Sequence, residues 1–349
     1  VLNCGIGCQY QSGELVPLDE MDPYVQDAID LVEFANGDTT TTWGSLRARM
    51  GHPEPFGLKY LGIGNEQWGE EFVQREALFV EALRKHCPDI RIVGSSGPSA
   101  DGEQFEYLWP EMKRLKVDFV DEHYYKPPEW FYANAGRYDD YDRKGPKVYA
   151  GEYASHHKSK DNNFEAALSE AAFLTGVERN ADVVRLATYA PLLAHVDAWQ
   201  WRPDMIWFDN SRVLLTPNYY VQQLYSLHKG THTLRLTENG AAVKGQEGLY
   251  ASAVYDADSA RIIVKVANTA SHPHEVVLRF DGLKRRQALQ PQAEILYMQS
   301  DDKNAVNTFK NPSAIVPQRA GAAVEGDRCP LTLAPQSFQV IIIPFVSKP

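Results

Sequence analysis

The chain has 349 residues, room for one large or two medium domains with a substantial core, which excludes a miniprotein held together by disulfides. Hydrophobic residues at 44% and charged residues at 23% are ordinary globular values and exclude a disordered, charge-dominated chain. The formal charge of -11, from 46 acidic against 35 basic side chains, comes with no basic run and argues against a nucleic-acid partner.

In chain order, Val1–Ile6 reads as a buried strand running into a Gly-rich loop. No charged leader precedes it, so an N-terminally incomplete chain is expected. Asp22-Pro23 supplies an N-cap and a first-turn proline, followed by an apolar stripe through Val25, Ile29, Val32 and Phe34 that stops at Asn36-Gly37. Further strands are predicted at Leu58–Ile63, Ile90–Gly94, Val117–Asp121, Lys147–Ala150 and Val183–Thr188. Helices are predicted at Glu70–Cys87, Glu103–Arg114, Phe164–Arg179 and Pro217–His228. Apolar strands alternating with helices imply a parallel sheet covered on both faces. After about residue 229 the pattern changes to short strands separated by Gly, Pro, Asn and Asp: Thr231–Leu236, Leu249–Tyr255, Arg261–Asn268, His274–Phe280, Gln292–Met298 and Phe338–Phe345. An α/β domain over residues 1–228 and an all-β sandwich over residues 229–349 are therefore expected, with Asp301–Pro330 as a long exposed loop. No stretch approaches the roughly 18 to 20 apolar residues of a membrane span. Cys4, Cys8, Cys87 and Cys329 lack metal-site or redox spacing and are read as reduced.

The chemistry concentrates at strand ends. In Leu58–Gly69 a strand leads into Gly64-Asn65-Glu66 just ahead of a helix, which places the amide and the carboxyl at the lip of a parallel strand, where barrel enzymes carry their catalytic groups. The competing reading makes Glu66 a cap of the following helix. Glu152 follows Lys147–Ala150 in the same way. Two carboxyls at two strand ends suit a pair flanking a glycosidic bond, one as general acid/base and one as nucleophile, about 5 to 5.5 Å apart for retention of configuration. A general acid has to keep its proton near neutral pH, which burial and a neighbouring carboxylate would secure. In Val117–Tyr125, His123 and Tyr125 are expected beyond a third strand end, between the two glutamate strands in chain order; a satisfied structural histidine is the alternative. The 18 Tyr and 7 Trp supply flat apolar faces with polar edges suited to sugars. His156-His157 with Glu152 makes a poor metal site, because adjacent side chains diverge and no helical ligand spacing supports them.

Val32–Gly37 (VEFANG), Trp43–Ala48 (WGSLRA), Gly51–Phe56 (GHPEPF), Gly64–Gly69 (GNEQWG) and Ala150–Ala154 (AGEYA) together resemble the α-L-arabinofuranosidases of glycoside hydrolase family 51. The resemblance is dense over residues 1–228 and thinner beyond. It implies a (β/α)8 TIM-barrel portion, strands three to eight, followed by a β-sandwich. It implies a retaining, exo-acting enzyme that releases terminal arabinofuranosyl residues from arabinoxylan- or arabinan-type polysaccharides by double displacement. Glu66 matches the family's acid/base and Glu152 its nucleophile. Asn65 matches an amide that contacts the sugar 2-hydroxyl, and His123 and Tyr125 match its His-x-Tyr. Trp68, Trp199 and Trp201 are candidate subsite walls. No metal or other cofactor is expected. The expected partner is an arabinose-containing oligo- or polysaccharide, with no nucleic acid and no membrane; self-association is left open. Six strands leave a barrel with unpaired edges, so the first two are expected from another segment or chain. Export is favoured over a cytoplasmic location. The alternatives are another retaining relative, a β-xylosidase or endoglucanase, and a non-catalytic carbohydrate-binding fragment.

Overall fold

The computed structural model describes residues 2–9, 12–283 and 287–347; Val1, with which the first predicted strand opens, lies outside them. The chain forms two compact units, one of Val1–Tyr124, Asp142–Glu152 and Arg185–Thr188, the other of Tyr125–Tyr141, Tyr153–Val184 and Tyr189–Pro349.

The first unit is built on a six-stranded sheet whose spatial order follows the chain: β1 (Leu2–Cys4), β2 (Tyr60–Ile63), β3 (Arg91–Ser95), β4 (Phe119–Lys126), β5 (Lys147–Ser155) and β6 (Val184–Tyr189). Strands β1 to β4 pair in parallel, with Leu61 opposite both Leu2 and Ile92, and Val93 opposite Phe119. Helices α1 (Asp22–Asn36) and α2 (Thr42–Arg49) lie between β1 and β2 in sequence, α3 (Glu70–His86) between β2 and β3, and α4 (Glu103–Leu115) between β3 and β4. Strand order rising with sequence, each step bridged by helix, is the pattern of a TIM-barrel-like wall. Leu61, Ile63, Ile92 and Val120 of the sheet, Phe72, Phe79 and Leu83 of α3, and Leu108 and Met112 of α4 form one buried cluster; each such side chain contributes about 1.5–3 kcal/mol by leaving water.

Two sequence expectations need correction on these elements, and one helix goes unread in the sequence. Asp22 does not cap α1; it is already helical and follows a 3-10 turn at Leu18–Glu20, with Met21 in the cap position. Helix α2 was not anticipated. Its eight residues have too little apolar periodicity to be read, and the helix depends on the Thr41 hydroxyl, which accepts the Gly44 N–H at 3.1 Å. Strands β4 and β5 run through His123, Tyr125 and Glu152 rather than ending before them. Polar side chains on one face of a strand leave its backbone pairing intact, so the polarity of these positions gave a false strand end.

In the second unit, α5 (Pro128–Ala133), α6 (Phe164–Arg179) and α7 (Pro217–Leu227) accompany a three-stranded sheet of β7 (Leu193–His195), β8 (Ile206–Phe208) and β9 (Val213–Leu215). The rest is β-structure: β10 (His232–Leu234), a ribbon of β11 (Thr237–Glu238) and β12 (Ala241–Ala242), then β13 (Leu249–Asp256), β14 (Arg261–Asn268), β15 (His274–Arg279), β16 (Gln287–Leu289), β17 (Gln292–Gln299), β18 (Gln318–Ala323), β19 (Arg328–Leu333) and β20 (Ser337–Ser347). The main sheet runs β10-β13-β14-β20-β17-β18, with β16 beside β20, and β15 pairs with β19. Alternate residues Leu249, Ala251 and Ala253 of β13, Ile262, Val264 and Val266 of β14, and Ile341 and Ile343 of β20 pack with Leu331 and Leu333 of β19. That period of two is the sandwich core. The opposite face of the sheet takes helices: Tyr225 of α7 stacks on Phe338 of β20 at 5.4 Å, and Glu178 of α6 pairs with the buried Lys265 of β14. The predicted loop Asp301–Pro330 holds β18 and the start of β19. β18, QRAGAA, is an exposed edge strand of small residues, so it carries neither β-propensity nor alternation.

Candidate active site

The site is assembled on the first unit, at the turn after β2 and on β4 and β5 where these strands carry His123 and Glu152. β2 stops at Ile63, and the chain turns through Gly64 (φ 72°), Glu66 (φ 58°) and Gly69 (φ 87°) before α3 begins. Glu66 thus sits in the left-handed region, a conformation that costs a non-glycine residue about 1–2 kcal/mol. The turn is held by the Gln67 side chain, which accepts the Asn65 N–H.

On β4 the period of two places Phe119, Asp121 and His123 on one face and Val120, Glu122 and Tyr124 on the other. The second face is structural: the buried Glu122 accepts the Trp109 indole N–H at 2.9 Å and the Tyr124 hydroxyl at 3.1 Å. The first face carries the site. His123 is only 2% exposed, and its Nδ1 lies 2.7 Å from Glu66 Oε1 and 3.7 Å from Glu152 Oε2, while its Nε2 lies 3.3 Å from Asp121 Oδ2. The two glutamates remain 32% exposed. A buried imidazole therefore stands behind two carboxyls that solvent can reach.

Electrostatics follow from this packing. Burial works against a charged imidazole, but the hydrogen bonds to Asp121 and Glu66, with the negative field of Asp121 and Glu152, outweigh it and push His123 up to about 10. Asp121 is raised above the ordinary carboxylate range, chiefly by burial and further by Glu152, with His123 pulling the other way. On β5, Tyr149 reaches Thr188 at 3.0 Å, and the Thr188 hydroxyl donates to the Gly151 carbonyl at 2.6 Å, fixing the strand just before Glu152. One donor atom each from Glu66, His123 and Glu152 lies within 4.8 Å of the other two, the single such group of metal-capable side chains among the described residues. Both His123 nitrogens already face carboxylates, so the trio has the chemistry of a proton-sharing chain rather than of a ligand set.

Of the sequence-predicted residues, Glu66, His123 and Glu152 are brought together. Asn65 and Trp68 flank Glu66 in the same turn and are exposed. Tyr125, Trp199 and Trp201 belong to the second unit. There Tyr125, His156 and Trp201 form a cluster of rings with centroids 5.2–6.0 Å apart. Trp199 meets Trp207 edge-on at 6.3 Å, and the Arg202 guanidinium lies over both. They border a cavity of about 340 Å³ that also includes Asp161 and Asn162. His156 faces Lys160 while His157 faces Ser159 and Glu165, so the adjacent rings do diverge. Sequence reasoning missed Asp121. The available signal was its two-residue spacing from His123 on one strand, which puts both side chains on one face.

A family model described as the α-L-arabinofuranosidase C-terminal domain matches residues 138–337, and one described as the α-L-arabinofuranosidase 1 domain matches residues 1–143. An extracellular exo-α-L-arabinofuranosidase of Streptomyces chartreusis is 50% identical over 208 residues, which is 59% of this chain and 25% of that protein. α-L-Arabinofuranosidase 2 of Arabidopsis thaliana is 34% identical over 330 residues, covering 90% of this chain and 45% of that one. An arabinose-bound α-L-arabinofuranosidase of glycoside hydrolase family 51, solved as a structure, superposes with a TM-score of 0.87 at 28% identity, over 99% of this chain and 54% of that one. The chain spans between a quarter and about half of the length of these relatives.

Proposed function

From the premise that the chain belongs to the α-L-arabinofuranosidases of glycoside hydrolase family 51, we propose that it takes part in the hydrolysis of terminal α-L-arabinofuranosyl groups of arabinoxylan- or arabinan-type polysaccharides, by a retaining double displacement. The observation that carries this reading is the approach of Glu66 and Glu152, whose nearest oxygens lie within 4.8 Å with His123 behind them. That approach supports direct attack by one carboxylate; an inverting pair stands roughly 6.5–9.5 Å apart to admit water.

In the proposed mechanism Glu66 protonates the departing glycosidic oxygen while the Glu152 carboxylate attacks the anomeric carbon and forms a glycosyl-enzyme. Glu66 then takes a proton from water, which attacks the same carbon and releases Glu152. Asn65, His123, Tyr125, Trp68, Trp199 and Trp201 are proposed as sugar-binding residues. The Asn65 amide is assigned to the 2-hydroxyl, a contact that gains strength as positive charge develops on the ring. Residues 1–228 are proposed as strands three to eight of a TIM barrel and residues 229–349 as the sandwich, with further strands beside β1 and β6 supplied by another segment or chain. Among the described residues no helix is long and apolar enough to cross a membrane. An exported location is proposed from the extracellular Streptomyces relative.

A panel of nitrophenyl glycosides tests the reading. Hydrolysis of the α-L-arabinofuranoside in preference to β-xyloside and β-glucoside is expected. Hydrolysis of the β-xyloside or of cellulose alone would replace it with another retaining glycosidase, and binding of arabino-oligosaccharides without turnover would leave a carbohydrate-binding protein.

A further inference from the structure

The buried face of β4 holds one charged group to which neither the motifs nor the double displacement gives a role. Asp121 stands two residues before His123, in the same row of side chains. Its backbone carbonyl is pinned by Ser96, which donates both its N–H, at 3.0 Å, and its hydroxyl, at 2.8 Å. Its carboxylate fits against Gly151 of β5 so closely that any Cβ at position 151 would collide with it. The backbone is thus pinned by Ser96 and the carboxylate is confined between Gly151 and His123, with Oδ2 facing His123 Nε2 at 3.3 Å. The charged or titratable groups facing this pair are Glu66 from the turn after β2 and Glu152 and Tyr149 from β5.

A histidine ring has two nitrogens on opposite edges, and the group bound at one decides what the other can do. With Asp121 accepting the proton on Nε2, the ring is locked with Nδ1 toward Glu66 Oε1, 2.7 Å away, and the proton between them can lie on either atom. We propose that Asp121 is a positioning residue that acts through His123 on Glu66: it fixes the plane of the imidazole with Nε2–H toward itself, and Nδ1 in turn orients the Glu66 carboxyl and shares with it the proton that Glu66 delivers. The inference rests on the reading of Glu66 as the acid/base and extends it one residue deeper. Asp121 itself touches no substrate in this account. Without it the ring is free to turn, and the imidazole loses the carboxylate that keeps it charged.

His123 is held up to about 10 against an ordinary value of about 6.5. The stability it contributes is complete below about pH 6.5 and is lost as pH rises through about 10. Removing Asp121 shrinks that window from its alkaline end.

The test uses Asp121→Asn and Asp121→Ala, checked by thermal melting, with three readouts. First, NMR titration of the His123 ring nitrogens should show wild type protonated well above pH 8 and both variants titrating at least about one unit lower. Second, kcat on arabinofuranosides with poor leaving groups should fall about ten- to hundred-fold, while a dinitrophenyl substrate, which needs little protonation, should lose far less and KM should hold. Third, the alkaline limb of kcat/KM on the poor substrate should move down in pH. Equal losses on both substrates with an unmoved alkaline limb would overturn the proposal. So would a wild-type His123 that titrates near 6.5, a result that requires no variant to fold. Absence of any arabinofuranoside hydrolysis by wild type would overturn the enzymatic reading instead, and the NMR arm would still decide the Asp121–His123 pairing.

Discussion

Replacement of Gly151 by alanine makes a sharp test of how tightly the site is built. On general grounds the change should stabilise a strand, by about 0.4–1 kcal/mol, because glycine loses more chain entropy on folding. The structure predicts the opposite. A Cβ at 151 would lie 2.8 Å from both Cγ and Oδ2 of Asp121, with Oδ1 nearer still, so the carboxylate must retreat by more than about 0.6 Å to reach an ordinary contact of about 3.4 Å. Its Oδ2 is already 3.3 Å from His123 Nε2, and a shift of that size away from the ring ends the hydrogen bond. Overpacking of this kind costs about 1–3 kcal/mol, leaving a net destabilisation of about 1–2 kcal/mol. At roughly 2–4 °C per kcal/mol for a domain of this size, the midpoint of thermal unfolding should drop by about 2–8 °C. Hydrolysis of poor-leaving-group arabinofuranosides should fall about tenfold or more alongside it. Combining Gly151→Ala with Asp121→Ala removes the atoms in collision, so the double variant should melt higher than additivity predicts without recovering the lost activity. A Gly151→Ala protein that melts at or above wild type and hydrolyses normally would refute the reasoning.

Other consequences lie outside the site. Lys265 is fully buried; its ammonium donates to Glu178 and to the His228 carbonyl, and Glu178 also accepts the Ser252 hydroxyl at 2.6 Å. Lys265→Met strands the carboxylate and should cost about 3–5 kcal/mol in denaturant unfolding, whereas Lys265→Met with Glu178→Gln should cost far less; equal losses would remove the ion pair from the account. Glu170 of α6 is wholly buried, accepts the Ser155 N–H at 2.8 Å and is held up at about 8 by burial. Its contribution to stability is full below about pH 4.3, the ordinary value for glutamate, and declines as pH rises toward about 8, because the unfolded chain releases the proton first. Glu170→Gln should therefore flatten the fall in melting temperature between pH 5 and pH 8, and an unchanged slope in that variant would contradict it.

How far the fold was legible follows from which signals survive in one dimension. The alternation of apolar strands with helices such as Glu70–His86, whose first turn is acidic and last turn basic, reads directly, because burial on both faces of a parallel sheet demands it. The Asn-Glu at 65–66 is legible for a related reason, since polar residues directly after an apolar strand mark its outlet; the same rule picks out Glu152, although β5 continues through it to Ser155. The extent of β4 was not. Asp121, Glu122 and His123 look like the end of a strand, although two of them face the site and the third bonds a half-buried Trp109 and a buried Tyr124. The same blindness hid Asp121, which gains its meaning from Gly151, thirty residues on, and from Glu66 in the turn after β2. Strand β18 stayed hidden because Gln318–Ala323 owes its structure to a neighbour, β17, rather than to its own side chains. For Asp121 and β18 the deciding partner lies far along the chain, whereas α2 was hidden by its own weak periodicity.

The double displacement through Glu152 is tested most directly by intercepting its intermediate. An activated 2-deoxy-2-fluoro-arabinofuranosyl donor slows breakdown of the glycosyl-enzyme, and peptide mapping of the inactivated protein locates the sugar. The account predicts one added fluoro-arabinofuranosyl group per chain, ester-linked to Glu152 and lost on Glu152→Gln. A label on Glu66 or on any other residue, or steady turnover of the donor with no label at all, would contradict it.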